Sequence, residues 1–329
     1  MKSFFLGVDV GGTKTHTLVV AGDGQVVGFA EGGPGNHEDV GYEGLTRVLK
    51  QSIHDALNSA SLSPGQLAGA GYGIAGYDWP SEEKRNLDII QSLGFNIPFN
   101  VVNDTILGLP AGAREGWGVA VVSGTGCNCW GWDRTRQMIG RVTGSGSQMG
   151  EAAGASELVN KAIQAITHEW EMRGPATALS PAFIDYFGVS SLEELIEGLS
   201  MRRLSIDGFA APLVFKVAEA GDPVAIQVTN WAGQELAELA KCVIRQIGFQ
   251  ELVFDIVLVG SMFKNGCLLI EPMRKVVQEF APKANLVKLT VPPVVGAVLL
   301  GVEASGLIVG KHFHNKLNRT IAQVQELGQ

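Results

Sequence analysis

The stretch KSFFLGVDVGGTKTHTLVVAGDGQVVGFA, residues 2–30, decides the fold of this chain. Its first part, Lys2–Val10, is mostly apolar and predicts a buried strand. The pair Gly11-Gly12 predicts a tight turn, and the β-branched residues of Thr15–Val20 predict a second strand. A Gly-Asp-Gly hairpin signal then leads into a third strand over Gln25–Ala30. The chain therefore opens with an antiparallel meander, which argues against the βαβ unit of a dinucleotide-binding fold.

The meander pattern returns in the middle of the chain. Before it, the periodicities predict the order β-β-β-α-β-α-β, ending with a strand at Phe99–Val102. Three further strands are then predicted at Gly118–Ser123, Cys127–Trp132 and Gln137–Val142. The clearest helices that follow are predicted at Glu151–Glu169, Ser191–Leu199, Pro212–Ala220 and Pro223–Ile247. Two halves that open alike indicate a duplication, with the boundary in the Gly-rich stretch Ala111–Trp117.

The composition excludes several classes of protein. The 329 residues are 46% hydrophobic and 18% charged, which is typical of a globular chain of about two domains. A net charge of −8 argues against a basic face that binds nucleic acid. The longest apolar run near the end, Leu289–Val302, contains two prolines and is shorter than a membrane span. No targeting signal is visible and four cysteines do not make a disulfide scaffold, so we expect reduced thiols and a cytoplasmic protein.

Two Gly/Thr turns carry groups suited to phosphate chemistry. In Asp9-Val10-Gly11-Gly12-Thr13-Lys14-Thr15, a carboxylate precedes glycines, hydroxyls and a lysine, a set that suits a phosphate and its Mg²⁺. The second turn, Ser123-Gly124-Thr125-Gly126, opens the second half in the same way. Neither turn has the spacing of a Walker A loop. Each turn alone is also consistent with a plain hairpin, but the two turns together predict a site that binds a polyphosphate from both sides.

Two strand ends carry further candidates. The pair Asn103-Asp104 follows a predicted strand, where ligands bind in α/β sheets, so Asp104 is a candidate general base. The alternative is that Asn103 or Asp104 caps the predicted helix Thr105–Ala111. The strand Val257–Val259 ends in Gly260-Ser261, which would let a flat ring pass over the backbone.

The order and spacing of these motifs resemble the sugar kinase/actin/Hsp70 superfamily. Within it, the chain is most similar to the BadF/BadG/BcrA/BcrD ATPase family, which contains the N-acetylglucosamine kinases. Nearly the whole chain takes part in the resemblance. The matching segments are the phosphate-1 motif Asp9–Thr15, the sugar-site segment Gly35-Asn36-His37, the turn Gly73-Ile74-Ala75-Gly76, the catalytic segment Asn103-Asp104, the phosphate-2 motif Ser123-Gly124-Thr125-Gly126-Cys127-Asn128-Cys129, and the adenosine-motif turn Val259-Gly260-Ser261.

The resemblance implies an α/β fold of two ribonuclease-H-like (actin-like ATPase) domains flanking a nucleotide and sugar cleft. We expect an N-terminal domain over residues 1–115 and a C-terminal domain over residues 116–305. The tail, residues 306–329, is expected to form a helix that packs back on the first domain. The sequence leaves open whether the protein forms a homodimer.

The resemblance also implies ATP and Mg²⁺ as cofactors, a small sugar as substrate, and a role for each matched residue. Asp104 is the expected catalytic base, and Asp9 is expected to hold the water shell of the metal. The expected ATP-binding residues are Gly11, Gly12, Thr13, Lys14, Thr15, Gly124, Thr125, Gly126, Gly260 and Ser261. The expected substrate-binding residues are Asn36, His37, Asp104, Asn128, Gly144, Ser145 and Glu151.

One segment departs from the family. Relatives carry G-G-W followed by G-D-E-G-S, whereas this chain has Thr143-Gly144-Ser145 followed by Gly150-Glu151-Ala152-Ala153-Gly154. Glu151 can stand for the sugar-binding aspartate, one methylene longer, but the second carboxylate, the serine and the tryptophan are absent. The expected reaction is phosphorylation of an amino sugar, N-acetylglucosamine at its 6-hydroxyl, with glucosamine or another hexose as alternatives.

A non-kinase alternative also stays open at this point. Some relatives are ATP-hydrolysing activators of 2-hydroxyacyl-CoA dehydratases that hold an iron–sulfur cluster between subunits. The pair Cys127-x-Cys129, with Cys242 and Cys267 far away in sequence, lacks the C-x₂-C pattern of such a cluster, and we expect buried thiols instead.

Overall fold

The computed structural model describes residues 3–327. Its strands, in chain order, are β1 (Phe4–Val10), β2 (Thr15–Ala21), β3 (Val26–Gly32), β4 (Leu67–Ile74), β5 (Phe99–Asn103), β6 (Gly118–Ser123), β7 (Cys127–Trp132), β8 (Ile139–Arg141), β9 (Phe254–Val259) and β10 (Ala284–Lys288). Its helices are α1 (His37–Ser59), α2 (Glu83–Ser92), α3 (Gly108–Gly112), α4 (Ala155–Trp170), α5 (Leu179–Phe187), α6 (Leu192–Ser200), α7 (Ala211–Glu219), α8 (Pro223–Ile247), α9 (Cys267–Phe280), α10 (Val294–Ala304) and α11 (Lys311–Leu327).

The strands form two five-stranded sheets with the same order of strands. The first sheet has the order β3-β2-β1-β4-β5, and the second has the order β8-β7-β6-β9-β10. In the first sheet, β1, β2 and β3 pair antiparallel, as the meander predicts, while β4 and β5 extend the sheet in parallel. The repeated order is the structural basis of the duplication that the sequence indicates.

The first sheet buries both of its faces. Alternate side chains of β1, from Phe4 to Val10, point into a core that α1 and α2 complete. Phe5 points to the other face, where it joins α10 and the Phe313 and Leu317 side chains of α11 in a second cluster. Because successive side chains of a strand alternate between faces, one apolar run of β1 supplies both cores.

Glycines on one face of β4 let α10 approach closely. Gly69, Gly71 and Gly73 alternate along the strand, and a Cβ on Gly71 would overlap the carbonyl of Ala297 in α10. A Cβ on Gly73 would overlap the side chain of Leu107. These glycines thus make room on this face for the backbone of α10 and for Leu107, which lies in the short turn that follows β5.

The chain divides into two compact units. The first contains residues 3–120, 134–136 and 287–327, and the second contains residues 121–133 and 137–286. Residues 287–305, which the sequence assigned to the C-terminal domain, thus lie in the first unit because α10 packs on β1 and β4.

Two local expectations differ from the structure. The helix predicted at Glu151–Glu169 begins only at Ala155, with Gly154 at its N-cap, so Glu151 lies in the preceding loop. The helix predicted at Thr105–Ala111 is a 3₁₀ turn, Asp104–Leu107, that leads into the short α3. Among the helices of residues 3–327, none combines the length and the apolar character that crossing a membrane requires.

Candidate active site

Parallel strand pairing brings Asp9 and Asp104 to one edge of the first sheet. Val10 lies beside Ile74, and Ile74 lies beside Asn103, so β1, β4 and β5 end side by side. Asp9 precedes the last residue of β1, and Asp104 follows the last residue of β5. The two carboxylates are close enough that the charge of Asp9 raises the pKa of Asp104.

Both carboxylates have strongly raised pKa values. Burial raises the pKa of Asp9 to about 7, against a smaller opposite effect of Lys14. Burial, followed by the charges of Asp9 and Asp78, raises the pKa of Asp104 to about 8. Desolvation disfavours the charged form, and neighbouring negative charges add to this effect. An acid pair of this kind is typical of catalytic and cation-binding sites.

Asn103 provides the cap of the turn that follows β5. Its side-chain oxygen accepts a hydrogen bond from the Thr105 backbone N–H at 2.9 Å, and its amide donates to the Tyr77 carbonyl at 3.1 Å and to Asp78 Oδ1 at 3.0 Å. Asp104 Oδ1 also lies 2.9 Å from the Thr105 N–H. Because Asn103 already satisfies that donor, capping does not require the Asp104 carboxylate.

The first Gly/Thr turn is an exposed hairpin with a defined backbone. The Gly11 N–H donates to the Lys14 carbonyl at 2.9 Å, and Thr15 Oγ1 donates to the Gly33 carbonyl at 3.0 Å. Lys14 Nζ lies 3.3 Å from the exposed Glu31 carboxylate. Gly12 is exposed, and a Cβ built on it would have no atom within 4 Å. Thr13 is exposed as well, so this turn presents its backbone to solvent.

The second Gly/Thr turn is held by the start of α4. The N–H groups of Ala155 and Ser156 donate to the carbonyls of Gly124 and Thr125 at 2.8 and 3.2 Å. Two of the turn's carbonyls are therefore directed at α4. The hydrogen bonds to α4 thus fix the backbone of the turn. The space beside Gly124 is nevertheless open, because a Cβ built on it would have no atom within 4 Å. The turn therefore leaves open space where a phosphate could approach its backbone.

Gly260 and Ser261 lie where the sequence expects them, directly after β9. Gly260 has a φ of 113°, and a Cβ on it would overlap the carbonyl of Ser123. Only glycine fits this conformation and this contact, which brings the turn after β9 against Ser123, the first residue of the second Gly/Thr turn. Ser261 begins a 3₁₀ turn and is exposed.

The sugar-site segment after β3 forms the start of α1. Asn36 is the N-cap of this helix and accepts a hydrogen bond from the Glu38 N–H at 3.0 Å. His37 is buried, and its Nε2 lies 2.9 Å from Glu82 Oε1. Gly76 has a φ of 79°, and a Cβ on it would overlap Asn36 Oδ1 and meet the His37 ring at 3.0 Å. The structure thus brings together the two segments matched as Gly35-Asn36-His37 and Gly73–Gly76.

The remaining sugar-side candidates lie in the second unit. Glu151 is buried, its Oε1 accepts a hydrogen bond from the Thr143 N–H at 2.6 Å, and its Oε2 has no hydrogen-bond partner within residues 3–327. Ser145 is exposed, and its N–H donates to Thr143 Oγ1 at 3.2 Å. Glu151 thus links its own loop to the segment that contains Gly144 and Ser145. Asn128 is half-buried on β7, where its Oδ1 accepts from the Cys129 N–H at 2.8 Å.

Three residues near these candidates were not identified from the sequence. They are Tyr42, which stacks on His37, and Asp78 and Glu82, which lie after β4. Glu82 precedes α2 and resembles an ordinary residue of a helix start, while His37 lies 45 residues earlier. No local signal in the sequence indicates that these side chains meet.

The cysteine pair of β7 is buried. Burial raises the pKa of the Cys127 thiol to about 11 and raises that of Cys129 further above its usual value. High pKa values oppose formation of the thiolates that ligate iron–sulfur clusters. The expectation of buried thiols at these two positions is confirmed.

A model of the BadF/BadG/BcrA/BcrD ATPase family matches residues 6–301. The chain belongs to the BadF/BadG/BcrA/BcrD ATPase family. It is 27% identical over 299 residues to the N-acetylmuramic acid/N-acetylglucosamine kinase of Clostridium acetobutylicum, a match that covers 90% of this chain and 97% of the relative. It is also 27% identical over 323 residues to the N-acetyl-D-glucosamine kinase of Dictyostelium discoideum, covering 92% of this chain and 99% of the relative.

The fold is similar to that of solved sugar kinases. A ROK family glucokinase from Streptomyces griseus, solved in complex with glucose and AMPPNP, aligns with a TM-score of 0.58 and 21% identity, covering 92% of this chain and all of that chain. The predicted family and the predicted actin-like ATPase fold class are therefore confirmed.

The residues present fit ATP and Mg²⁺. Asp9 supplies a hard oxygen donor, which is the kind of ligand that Mg²⁺ prefers. Within residues 3–327, no three His, Cys, Asp or Glu side chains are grouped to hold a metal by themselves. Mg²⁺ is commonly held by one or two carboxylates together with substrate phosphates, so a site based on Asp9 needs no further protein ligand. The open space at Gly12 and Gly124 leaves room for phosphates.

Replacing Gly124 with valine should remove nucleotide binding without unfolding the second unit. A side chain there meets no protein atom within 4 Å at its Cβ, but it occupies the space in which a phosphate would approach. We expect ATP with Mg²⁺ to raise the melting temperature of the wild type, since it binds the folded state, and to leave that of Gly124→Val unchanged. Differential scanning fluorimetry measures both. Gly65→Val, at an exposed glycine in the first unit whose Cβ position is equally open and whose φ is not positive, is the control and should keep the ATP shift. A normal shift in folded Gly124→Val would contradict the phosphate-2 assignment.

Replacing Asp104 with asparagine should stabilise the ligand-free protein at neutral and alkaline pH. The folded-state pKa of about 8 lies above the ordinary aspartate value, so the wild type loses stability as pH rises from about 4 through about 8. Asparagine does not ionise, so the variant avoids this loss. We expect the two melting temperatures to converge near pH 4.5 and the variant to melt at least about 2 °C higher at pH 8.5.

The exposed Asp88, which pairs with Lys84 on α2, provides the control for this experiment. Asp88→Asn removes a surface ion pair of little energetic value, so its melting temperature should follow that of the wild type at every pH. A lower melting temperature of Asp104→Asn at pH 8.5 would show that the carboxylate stabilises the fold, contrary to the analysis above.

Proposed function

We propose that this chain is an ATP-dependent amino sugar kinase that phosphorylates N-acetylglucosamine at its 6-hydroxyl. The observation that carries the proposal is geometric: β1, β4 and β5 end side by side and place Asp104 near Asp9, and Asn103 already caps the turn that follows. The proposal is supported by the names of the two relatives, both of which are kinases of N-acetylglucosamine.

Asp104 is the proposed general base. A sugar hydroxyl becomes a competent nucleophile as its proton moves to an acceptor, and a buried carboxylate with a raised pKa is, in its ionised form, a stronger base than an ordinary aspartate. In the reaction, the hydroxyl oxygen forms a bond to the γ-phosphorus of ATP while the bond to the β-phosphate oxygen breaks. The hydroxyl proton goes to Asp104, and ADP leaves.

The Gly/Thr turns and Asp9 are proposed to hold the phosphates. Backbone N–H groups of Gly11–Thr15 and of Gly124–Gly126 would donate to phosphate oxygens. The turn at Gly260-Ser261 would let the adenosine ring lie over its backbone. Asp9 would hold the water shell of Mg²⁺, which, when bound, neutralises negative charge on the phosphate oxygens. The negative charge of Asp9 and Asp104 then has a partner, which explains how the site tolerates two neighbouring carboxylates.

The proposed sugar ligands are Asn36, His37, Asn128, Gly144, Ser145 and Glu151. Glu151 is the member that the structure makes most distinctive, because Oε2 is buried without a hydrogen-bond partner within the described residues. A buried carboxylate oxygen is costly to leave unpaired, and a sugar hydroxyl could donate to it. Glu151 at this position thus supports a polyhydroxylated substrate, with N-acetylglucosamine as the first candidate and glucosamine or another hexose as alternatives.

The direct test of the function is release of ADP in the presence of a panel of sugars. We expect N-acetylglucosamine to give the highest kcat/KM of the panel and Asp104→Asn to lower kcat by about 10²- to 10⁴-fold while ATP still binds. A coupled ADP-release assay measures the rates, and the ATP-induced shift in melting temperature verifies binding. The exposed-site variant Asp88→Asn should keep full activity. Turnover of Asp104→Asn within a few-fold of the wild type would refute the proposed mechanism.

Glu151→Gln tests the sugar side separately. The amide can still accept the Thr143 N–H, but it replaces the unpartnered carboxylate oxygen with a donor or a weaker acceptor. We expect kcat/KM for the sugar to fall about 10- to 150-fold, the equivalent of a charge-assisted hydrogen bond of about 1.5–3 kcal/mol, with KM for ATP little changed.

The matched control for that experiment is Glu157→Gln. Glu157 also accepts a backbone hydrogen bond, from the Gly154 N–H at 3.0 Å, but it lies within the first turn of α4. Its substitution should leave the steady-state parameters for both substrates within about two-fold of the wild type. Equal, normal kinetics of the two variants would assign Glu151 a purely structural role in its loop.

A further inference from the structure

Glu82 joins two segments of the first unit that are distant in sequence. Its Oε1 lies 2.9 Å from His37 Nε2, and its Oε2 accepts hydrogen bonds from the backbone N–H groups of Asp78 and Trp79 at 3.0 and 2.8 Å. The Glu82 side chain is 17% exposed and that of His37 is 7% exposed, so solvent has little access to the contact. One carboxylate thus holds the start of α1 and the loop after β4 together.

The hydrogen bonds determine which nitrogen of His37 carries a proton. A carboxylate that accepts two backbone N–H groups through one oxygen acts as an acceptor through the other as well, so His37 Nε2 is the donor. In the neutral ring, Nδ1 is then an acceptor. Nδ1 is buried and has no hydrogen-bond partner within residues 3–327. The Tyr42 ring stacks on His37 at a centroid distance of 4.2 Å and an angle of 20°, so the ring is fixed both at its edge and at its face.

The same loop is fixed at a second point, next to the proposed base. Asn103 donates to the Tyr77 carbonyl and to Asp78 Oδ1, and Asp104 follows it directly. At the other end of the loop, Gly76 lies against Asn36 and the ring of His37, where a Cβ would overlap the Asn36 side-chain oxygen. The loop of residues 76–79 therefore connects the proposed sugar ligands of α1 to the segment that carries the base.

We propose that Glu82 is a positioning residue for the sugar site. It holds His37 in the Nε2–H tautomer and holds the loop of residues 76–79 against it, so that Asn36 and Asp104 keep their spacing before the sugar binds. Glu82 acts through His37 and the loop, and it contacts no reacting atom. This role rests on the proposed sugar kinase function. Binding groups that are fixed in advance lose less entropy when the substrate arrives, and a displacement of about 1 Å can cost about 100-fold in rate.

Glu82→Gln tests the hold on His37 without any substrate. Glutamine has one oxygen, which the two backbone N–H groups occupy, so its amide would donate to His37 Nε2 and move the ring proton to Nδ1. We expect ¹⁵N–¹H correlation spectra of histidine-labelled protein to show His37 as the Nε2–H tautomer in the wild type and as the Nδ1–H tautomer in Glu82→Gln. The signal is assigned by its absence in His37→Gln.

Glu83→Gln is the matched control for the spectra. Glu83 is exposed and lies one residue further along, so the same chemical change there should leave His37 in the Nε2–H form. A wild-type His37 with its proton on Nδ1, or an unchanged tautomer in Glu82→Gln, would overturn the proposal. Because the measurement requires no turnover, it distinguishes failure of this proposal from failure of the proposed function, which the sugar panel on the wild type tests.

The kinetic consequence separates positioning from mere stability. We expect Glu82→Gln to raise KM for the sugar about tenfold and to leave KM for ATP within about two-fold, because the loop of residues 76–79 joins the proposed sugar ligands to the segment of the base and lies outside both Gly/Thr turns. Glu82→Ala, which removes both sets of hydrogen bonds, should raise the sugar KM further, and glutamine should rescue part of that loss. Glu83→Gln should match the wild type. A lower melting temperature with unchanged sugar KM in both Glu82 variants would show that the residue is structural only.

Discussion

The parallel pairing of β1, β4 and β5 is the constraint on which the candidate site depends. Because Val10, Ile74 and Asn103 lie side by side, the residues next to them reach one edge of the sheet without any long loop. Two carboxylates, Asp9 and Asp104, are thereby fixed on a rigid frame. A shift of either strand by one residue would direct its side chains to the opposite face, and both sides of this sheet are packed. The two cores of the first unit therefore also protect the geometry of the acids.

This arrangement has an energetic cost for the ligand-free protein. Burial raises the pKa values of both acids, and the charges of Asp9 and Asp78 raise that of Asp104 further, so ionisation of either acid opposes folding. Contacts between uncharged groups stabilise the segments that carry the two acids. Asn103 caps the following turn, and glycines on β4 let α10 and Leu107 pack closely over the same face. Functional groups that oppose folding in this way are usual at active sites, where a bound ligand restores the balance.

The parts of the fold that the sequence predicts correctly depend on local signals. The run Lys2–Val10 and the Gly-Gly turn predict a strand and a hairpin because the hydrophobic period and the turn residues lie within a few positions of each other, although Lys2 itself lies outside the described residues. The sequence predicts the start of α4 too early because the small residues of 152–155 continue its helical period. The Glu157 side chain, which closes the first turn onto the Gly154 N–H, marks the true start.

Contacts between distant segments could not be predicted in the same way. The place of α10 in the first unit depends on glycines of β4 that leave room for the backbone of α10. This close contact is seen only in the folded sheet. Glu82 and His37 are 45 residues apart, and each is unremarkable in its own helix start. The family resemblance identified His37 because it carries over a motif, but it could not identify Glu82, which lies outside every motif.

Two buried side-chain atoms without a hydrogen-bond partner lie in the segments that we propose to bind the sugar. His37 Nδ1 in the first unit and Glu151 Oε2 in the second unit are both buried and have no hydrogen-bond partner within residues 3–327. With His37 in the proposed Nε2–H tautomer, both atoms are acceptors, and an N–H or O–H donor would satisfy each of them. A nucleotide phosphate at neutral pH offers acceptors and cannot satisfy them. A sugar offers several hydroxyl donors, and an N-acetylated amino sugar adds an amide N–H. The polar atoms that the protein leaves unsatisfied thus favour a donor-rich substrate, independently of the Gly/Thr turns that favour a phosphate.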